Sequence, residues 1–178
     1  MRIISGKNKG RQIDPGKDFS ARPTTDVAKE GLFNILNNHF DFENISVLDL
    51  FSGTGSISYE FASRGVEKVT SVEVNFRHAS FIRNTAQKLS MSIHVVQTNA
   101  FLYIKKTKQK FDLIFADPPY QSLDLSLIPD IIFEHNVLSD DGWLILEHSS
   151  KHDFSSHQYF KECREYGKVH FSFFVVPK

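Results

Sequence analysis

The strongest constraint on this chain is a recurring alternation: short apolar runs of strand length, each followed by a segment with helical periodicity. Ile45-Ser46-Val47-Leu48-Asp49-Leu50-Phe51 is the first such run, with the near-continuous apolar character of a parallel strand covered on both faces. It ends at Ser52-Gly53-Thr54-Gly55, a tight turn. Ser56 to Arg64 then reads as a helix, with Gly65 as its C-terminal stop. The pattern repeats through a strand over 68–73, a helix over 76–89 with Ala79, Ile82, Ala86 and Leu89 in line, a strand over 92–97 and a short helix from about 99 to 106. A fourth strand, 111–116, stops abruptly at Asp117-Pro118-Pro119-Tyr120. A helix over 123–135 and a strand over 143–147 follow. Two last runs, 159–166 and 169–176, meet at Gly167-Lys168 and read as a closing antiparallel hairpin. Strands alternating with helices predict an α/β fold with a doubly wound, mostly parallel sheet. Ahead of it, 2–13 reads as a small hairpin. Arg22-Pro23-Thr24-Thr25-Asp26 opens a helix that runs to about His39.

A chain of 178 residues, 40% hydrophobic and 24% charged, suits one domain with its own core. One cysteine, Cys163, leaves no internal disulfide and no cysteine-based zinc site, so a reducing cytoplasm is the expected compartment. No apolar run has the length of a membrane span, and Met1 to Gly10 lacks the apolar stretch of a secretory signal. Net charge is zero, 21 bases against 21 acids, unlike a protein that coats nucleic acid. The distribution is less even. Residues 1–25 carry Arg2, Lys7, Lys9, Arg11, Lys17 and Arg22 against Asp14 and Asp18, interleaved with Gly6, Gly10 and Gly16. This predicts a basic extension over 1–25 that closes on phosphates, followed by a single domain over 26–178. A second cluster, Lys105, Lys106, Lys108 and Lys110, reads as solvated surface.

In doubly wound sheets ligands bind beyond the carboxyl ends of the strands. Three strand ends therefore carry the chemistry. The bend Asp49-Leu50-Phe51-Ser52-Gly53-Thr54-Gly55 lets backbone N–H groups and a helix N-terminus approach a ligand. A dinucleotide fingerprint would place a third glycine where Ser58 stands, so a nicotinamide or flavin site and a purely structural turn both remain open. Glu73 ends the second strand 20 residues after Gly53, the spacing at which a carboxylate accepts from a ribose diol; the ligand is then adenosine-bearing. Asn99 and Ala100 follow the third strand, where the Asn99 oxygen either accepts from an adenine amine or caps a helix.

Asp117-Pro118-Pro119-Tyr120 decides between nucleoside ligands. Two prolines stiffen the loop and remove N–H groups, leaving it rich in acceptors. The Asp117 carboxylate and the Pro118 carbonyl can hold both hydrogens of an exocyclic amine, and Tyr120 can stack on its base. Such an amine has a delocalised lone pair. Holding its N–H bonds turns that pair toward an electrophilic methyl, so positioning and acceptors for developing positive charge supply the catalysis. The eight histidines are scattered and predict no metal site. There is no nucleophile elbow and no P-loop. The phenylalanines read as core filling. A non-catalytic adenosine-binding RNA assembly factor on the same fold is the other open alternative.

Val47-Leu48-Asp49-Leu50-Phe51-Ser52-Gly53-Thr54-Gly55 together with Asp117-Pro118-Pro119-Tyr120 resembles the class I S-adenosylmethionine-dependent N-methyltransferases, which share a Rossmann-like fold. DNA adenine-N6 methyltransferases carry the same two motifs. The flanks are more specific: Arg2-Ile3-Ile4-Ser5-Gly6, Gly10-Arg11, Arg22-Pro23-Thr24-Thr25-Asp26, Leu32-Phe33-Asn34-Ile35-Leu36 and Ser63-Arg64-Gly65 resemble the RsmD family over nearly the whole chain. The resemblance implies methyl transfer from S-adenosylmethionine to the N2 amine of a guanine, guanine 966 in the usual numbering, of 16S rRNA in the small ribosomal subunit. It implies that Asp49, Phe51, Gly53, Gly55, Glu73, Asn99 and Ala100 bind the cofactor, that Asp117, Pro118 and Tyr120 hold the guanine, and that Arg2, Lys7, Lys9, Arg11 and Arg22 contact RNA, in a monomer without metal. This chain departs from the family pattern at Asn99, where Asp is usual, which keeps an acceptor but loses charge, and at Lys29, where Arg is common and whose ammonium lacks the fork for a bidentate phosphate contact.

Overall fold

The computed structural model describes residues 1–17, 19, 24–122 and 124–176. Chain order runs α1 (Asp26–Asn37), β1 (Ser46–Leu50), α2 (Ser56–Ser63), β2 (Lys68–Glu73), α3 (Phe76–Lys88), β3 (Ile93–Gln97), α4 (Ala100–Lys106), β4 (Phe111–Ala116), α5 (Ile128–Glu134), β5 (Leu138–His148), β6 (Phe160–Tyr166) and β7 (Val169–Val175). The seven strands form one sheet in the order β3-β2-β1-β4-β5-β7-β6. The first five strands in chain order are mutually parallel, while β7 pairs antiparallel with β5 and with β6. The predicted doubly wound sheet with a terminal hairpin is therefore the observed fold.

Helices cover both faces. One core collects Val47, Leu113, Phe115, Ile145 and Phe171 under Leu32, Phe33, Leu36, Phe61 and Ile82. The other collects Leu48, Leu50, Ile114, Leu144 and Phe174 against Ile104, Ile128 and Ile132. Alternate residues of β1 thus serve opposite cores, which is why that run is nearly continuous in apolar residues. The chain order reverses direction at β1, where β2 and β4 flank it; crevices at this switch point open at the carboxyl ends of the strands.

Three elements differ from expectation. β5 begins at Leu138, five residues earlier than predicted, because Leu138 pairs with Phe111 and the polar Asp140-Asp141-Gly142 stretch is absorbed by a register shift before Leu113 pairs Trp143. The helix expected over 123–135 splits into a 3₁₀ turn, Leu125–Leu127, and α5. Pro129 sits in the first turn of α5, where its missing N–H costs nothing, so the helix starts there. The hairpin expected over 2–13 forms in abbreviated shape, as one antiparallel bridge, Arg2 with Gln12, with hydrogen bonds from the Ile3 amide to the Arg11 carbonyl, from the Gly10 amide to the Ile3 carbonyl and in both directions between Met1 and Ile13.

That first segment is nonetheless fastened to the domain. Ile3 and Ile13 are buried. The Ile4 and Ser5 amides donate to the two carboxylate oxygens of buried Glu60 on α2, at 2.8 and 3.0 Å. The Lys7 amide donates to the Ser63 carbonyl at 2.8 Å, and the Asn8 amide to the Ser63 hydroxyl at 3.0 Å. Glu60 also takes Arg64 Nε at 2.8 Å and lies 3.7 Å from the Lys29 ammonium.

Candidate active site

A cavity of about 890 Å³ opens at the carboxyl ends of β1, β2, β4 and β5. The two loops singled out in the sequence share it: Asp49, Phe51 and Gly53 line one side, and Asp117, Pro118, Pro119 and Tyr120 another. The Asp117 amide donates to the Leu50 carbonyl, at 3.4 Å, which ties the proline loop to the end of β1. Phe51 adopts a positive φ of 58°, unusual for an aromatic residue and costly enough to mark a loop held by its surroundings.

The bend is built from below. Ser52 Oγ donates to the Asp49 carbonyl at 2.7 Å. Ser58, where a dinucleotide site would carry glycine, donates its hydroxyl to Asp49 Oδ2 at 2.5 Å and is hydrogen-bonded to Ser71. Burial pushes the Asp49 carboxyl up to about 7, against the lowering effect of the Ser58 hydrogen bond. Gly55 does not face the cavity. Its φ of 90° turns the chain into α2, and a Cβ there would come within 2.8 Å of the Tyr59 ring.

Glu73 receives the Gly53 amide on Oε2 and the Asn75 amide on Oε1, both at 2.8 Å. Its carboxylate is thus preset at the mouth of the bend, and each oxygen keeps a lone pair for a hydroxyl ligand. Asn99 caps α4, its Oδ1 accepting from the Leu102 amide at 3.1 Å, while Ala100 beside it is buried against the cavity.

Glu147, at the end of β5, was not singled out by the sequence, although the strand-end rule that led to Asp117 points to it equally. It accepts the Tyr120 hydroxyl at 3.2 Å and the Thr24 hydroxyl at 3.1 Å. Burial, and then the charges of Glu147 and Asp49, raise the Asp117 carboxyl well above its ordinary range; burial likewise raises Glu147. Thr24, Thr25 and Val27 ahead of and within α1, His78 on α3, and the Tyr166-Gly167-Lys168-Val169 turn also reach the cavity without having been predicted. The turn is seated because Gly31 on α1 has no side chain: a Cβ there would lie 2.2 Å from the Tyr166 ring. Four carboxylates, Asp49, Glu73, Asp117 and Glu147, line this space, an environment suited to a cation.

The basic residues described in the first segment and at the start of α1 take different partners. Arg2 pairs with Asp26 at 3.1 Å, beside the first turn of α1 and so near the cavity rim. Lys7 reaches the Ser90 carbonyl, just past the end of α3 and at the opposite edge of the sheet. Lys9 and Arg11 are exposed; Arg22 lies outside the described residues. Lys29 turns inward. Its ammonium donates to the Arg2 carbonyl at 2.6 Å and Ser56 Oγ at 3.2 Å, so it has no outward reach toward phosphate. Among the described residues no cluster could hold a metal ion and no helix is long and apolar enough to cross a membrane.

Fold and loops together are those of the Rossmann-like methyltransferases. The family model described as "Conserved hypothetical protein 95" matches residues 1–175. Ribosomal RNA small subunit methyltransferase D of Buchnera aphidicola is 31% identical over 148 residues, covering 83% of this chain and 75% of that protein. The Escherichia coli protein of the same name is 31% identical over 145 residues, covering 81% of this chain and 69% of its own length. The chain belongs to the RsmD family. A solved Thermus thermophilus protein superposes with a TM-score of 0.87 at 23% identity, covering 99% of each chain. RsmC of the same species, a 16S rRNA N2 G1207 methyltransferase solved with AdoMet and guanosine, shares the fold at a TM-score of 0.70 and 16% identity, over 88% of this chain and 44% of that one. Family membership sets aside the nicotinamide alternative.

Proposed function

We propose that this protein methylates the exocyclic N2 amine of a guanine, guanine 966, in 16S rRNA of the small ribosomal subunit, with S-adenosylmethionine as donor. The observation that carries this reading is the shared cavity: an acidic glycine bend and an acceptor-rich proline loop face one space. S-adenosylmethionine supplies there a methyl group on a cationic sulfur, which suits a wall of four carboxylates. Glu73 would hold the ribose hydroxyls, Gly53 and Phe51 the methionine portion, and Asn99 and Ala100 the adenine. Gly55 contributes the turn rather than a contact.

The chain's part in the reaction is positional. Asp117 and the Pro118 carbonyl accept the two N–H bonds of the amine, and Tyr120 stacks on the base. As the nitrogen takes the methyl it becomes cationic, stabilised by Asp117. The nitrogen then loses one proton, to the Asp117 carboxylate or to water. A guanine in folded RNA must be swung out of its stack to enter. Arg2, Lys9, Arg11 and Arg22, within the basic stretch over 1–25, would grip phosphates, with the particle supplying specificity. Lys7 stands apart from that set.

The test is transfer of a radiolabelled methyl group to undermethylated small subunits, with the modified base identified by mass spectrometry. Asp117→Ala is expected to keep its affinity for S-adenosylmethionine in calorimetry and to lose at least about 100-fold in transfer. Unchanged turnover would remove Asp117 from the mechanism.

A further inference from the structure

Glu147 lies beside Asp117 at the carboxyl end of the parallel strands. β4 and β5 run parallel with Ala116 opposite Leu146, so the next residue of each strand is Asp117 on one and Glu147 on the other, and both line the cavity. Glu147 is only 4% exposed. A carboxylate buried to that degree is normally held by a cation. Among the described residues no lysine or arginine pairs with it. Two hydroxyls hold it instead, Tyr120 on Oε1 and Thr24 on Oε2. A carboxylate oxygen has two lone pairs, so each oxygen retains one for a ligand. The Tyr120 hydroxyl bond also fixes the ring expected to carry the base.

The chemistry of the amine's neighbours then decides what Glu147 can face. In guanine the carbon bearing the N2 amine is flanked by N1–H, a donor, and N3, an acceptor. An ionised carboxylate attracts the first and repels the second. In adenine the ring nitrogen beside the amine has no hydrogen at all.

We infer that Glu147 is a specificity-determining residue of the base pocket, accepting the N1–H of guanine while Asp117 and Pro118 hold the adjacent amine. The inference rests on the proposed guanine-N2 reading. It assigns the two neighbouring carboxylates different tasks: Asp117 orients the nucleophile, and Glu147 rejects bases that offer a lone pair at N1. Thr24 and Tyr120 set the direction of its remaining lone pairs.

The probe is 2-aminopurine, which keeps the amine but presents an unprotonated N1. Small subunits are reconstituted with guanine or 2-aminopurine at the target position, and methyl transfer is measured for the wild type and for Glu147→Gln. The glutamine keeps hydrogen-bonding groups for Tyr120 and Thr24 but brings one N–H donor toward the base. Expected is strong wild-type preference for guanine, a loss of about 10- to 100-fold on guanine in the variant, and a gain on 2-aminopurine. Equal losses on both bases, leaving the ratio unchanged, would make Glu147 a structural anchor only and overturn the inference. Should Glu147→Gln fail to bind S-adenosylmethionine, Glu147→Asp replaces it. Its shortened carboxylate is expected to lower the guanine to 2-aminopurine ratio, and an unchanged ratio overturns the proposal equally. A wild type that binds S-adenosylmethionine but transfers nothing to either particle would instead remove the underlying reading and the inference with it.

Discussion

Replacing Glu60 by leucine tests how the first segment is attached. Its carboxylate is fully buried, accepts from three donors, the Ile4 and Ser5 amides and Arg64 Nε, and forms an ion pair at 3.7 Å with the Lys29 ammonium. Leucine removes every acceptor at once and leaves Lys29 with only the Arg2 carbonyl and the Ser56 hydroxyl. Burial already holds the Lys29 pKa down, and Glu60 is the main group opposing that shift. Breaking one side of a buried pair costs about 3–5 kcal/mol. For a chain of this length each kcal/mol lowers Tm by about 2–4 °C, so Glu60→Leu should melt about 6–20 °C lower. The second arm is Lys29→Met in the Glu60→Leu background. Removing the stranded ammonium should recover about 1–3 kcal/mol, because an apolar pair of similar volume tolerates the site better than half of an ion pair. Urea unfolding of the four members of this cycle supplies the coupling energy. A loss under about 1 kcal/mol for the single variant, or strict additivity across the cycle, would refute the reasoning.

Three further outcomes are expected. Gly31→Ala forces a Cβ to within 2.2 Å of the Tyr166 ring and should cost about 1–3 kcal/mol in denaturant unfolding; it should also weaken S-adenosylmethionine affinity or turnover through the displaced Gly167-Lys168 turn, and wild-type values would show that the contact does not seat it. The Asp49 carboxyl sits at about 7 in the folded chain, above its unfolded value, so the native state binds more protons than the unfolded one between about pH 4 and 7. Stability without ligand should therefore fall as pH rises through that window, and a rise measured by thermal melting would contradict the burial argument. Arg2→Ala should weaken binding to undermethylated small subunits and reduce the salt slope by about 1, whereas Lys7→Ala, at the far edge of the sheet, should change neither.

Much of this architecture was legible because the sheet is covered on both sides. An apolar run bounded by glycine or proline has few other solutions, and β2 and β4 fall on the predicted residues. The two loops were legible because strand ends at a switch point are where ligands go. What stayed hidden depended on partners distant in sequence. Glu60 has the look of a solvent-facing residue on a short helix, and nothing in α2 announces that residues 4 and 5 will bring amides to it. The basic, glycine-bearing start therefore read as an extension that closes on phosphates, though Ile3 and Ile13 are core residues. Glu147 was passed over because one acid closing an apolar strand is ordinary; only its neighbours, Tyr120 and Thr24, which are 27 and 123 residues away, give it meaning. Lys29 shows the same lesson in reverse, since a cation in the first turn of a helix that precedes the sheet is expected to face solvent and here faces inward.

The order of the strands also governs when a growing polypeptide could first acquire its ligand. β1 acquires its neighbour β4 only after sixty residues of intervening chain, and the turn that closes the cavity lies between the last two strands. A nascent chain emerging from its tunnel thus exposes a half-sheet with a bare hydrophobic edge at β1, and no donor molecule can stabilise it early. Until β4 has been made, that edge stays open to pairing with a strand of another chain.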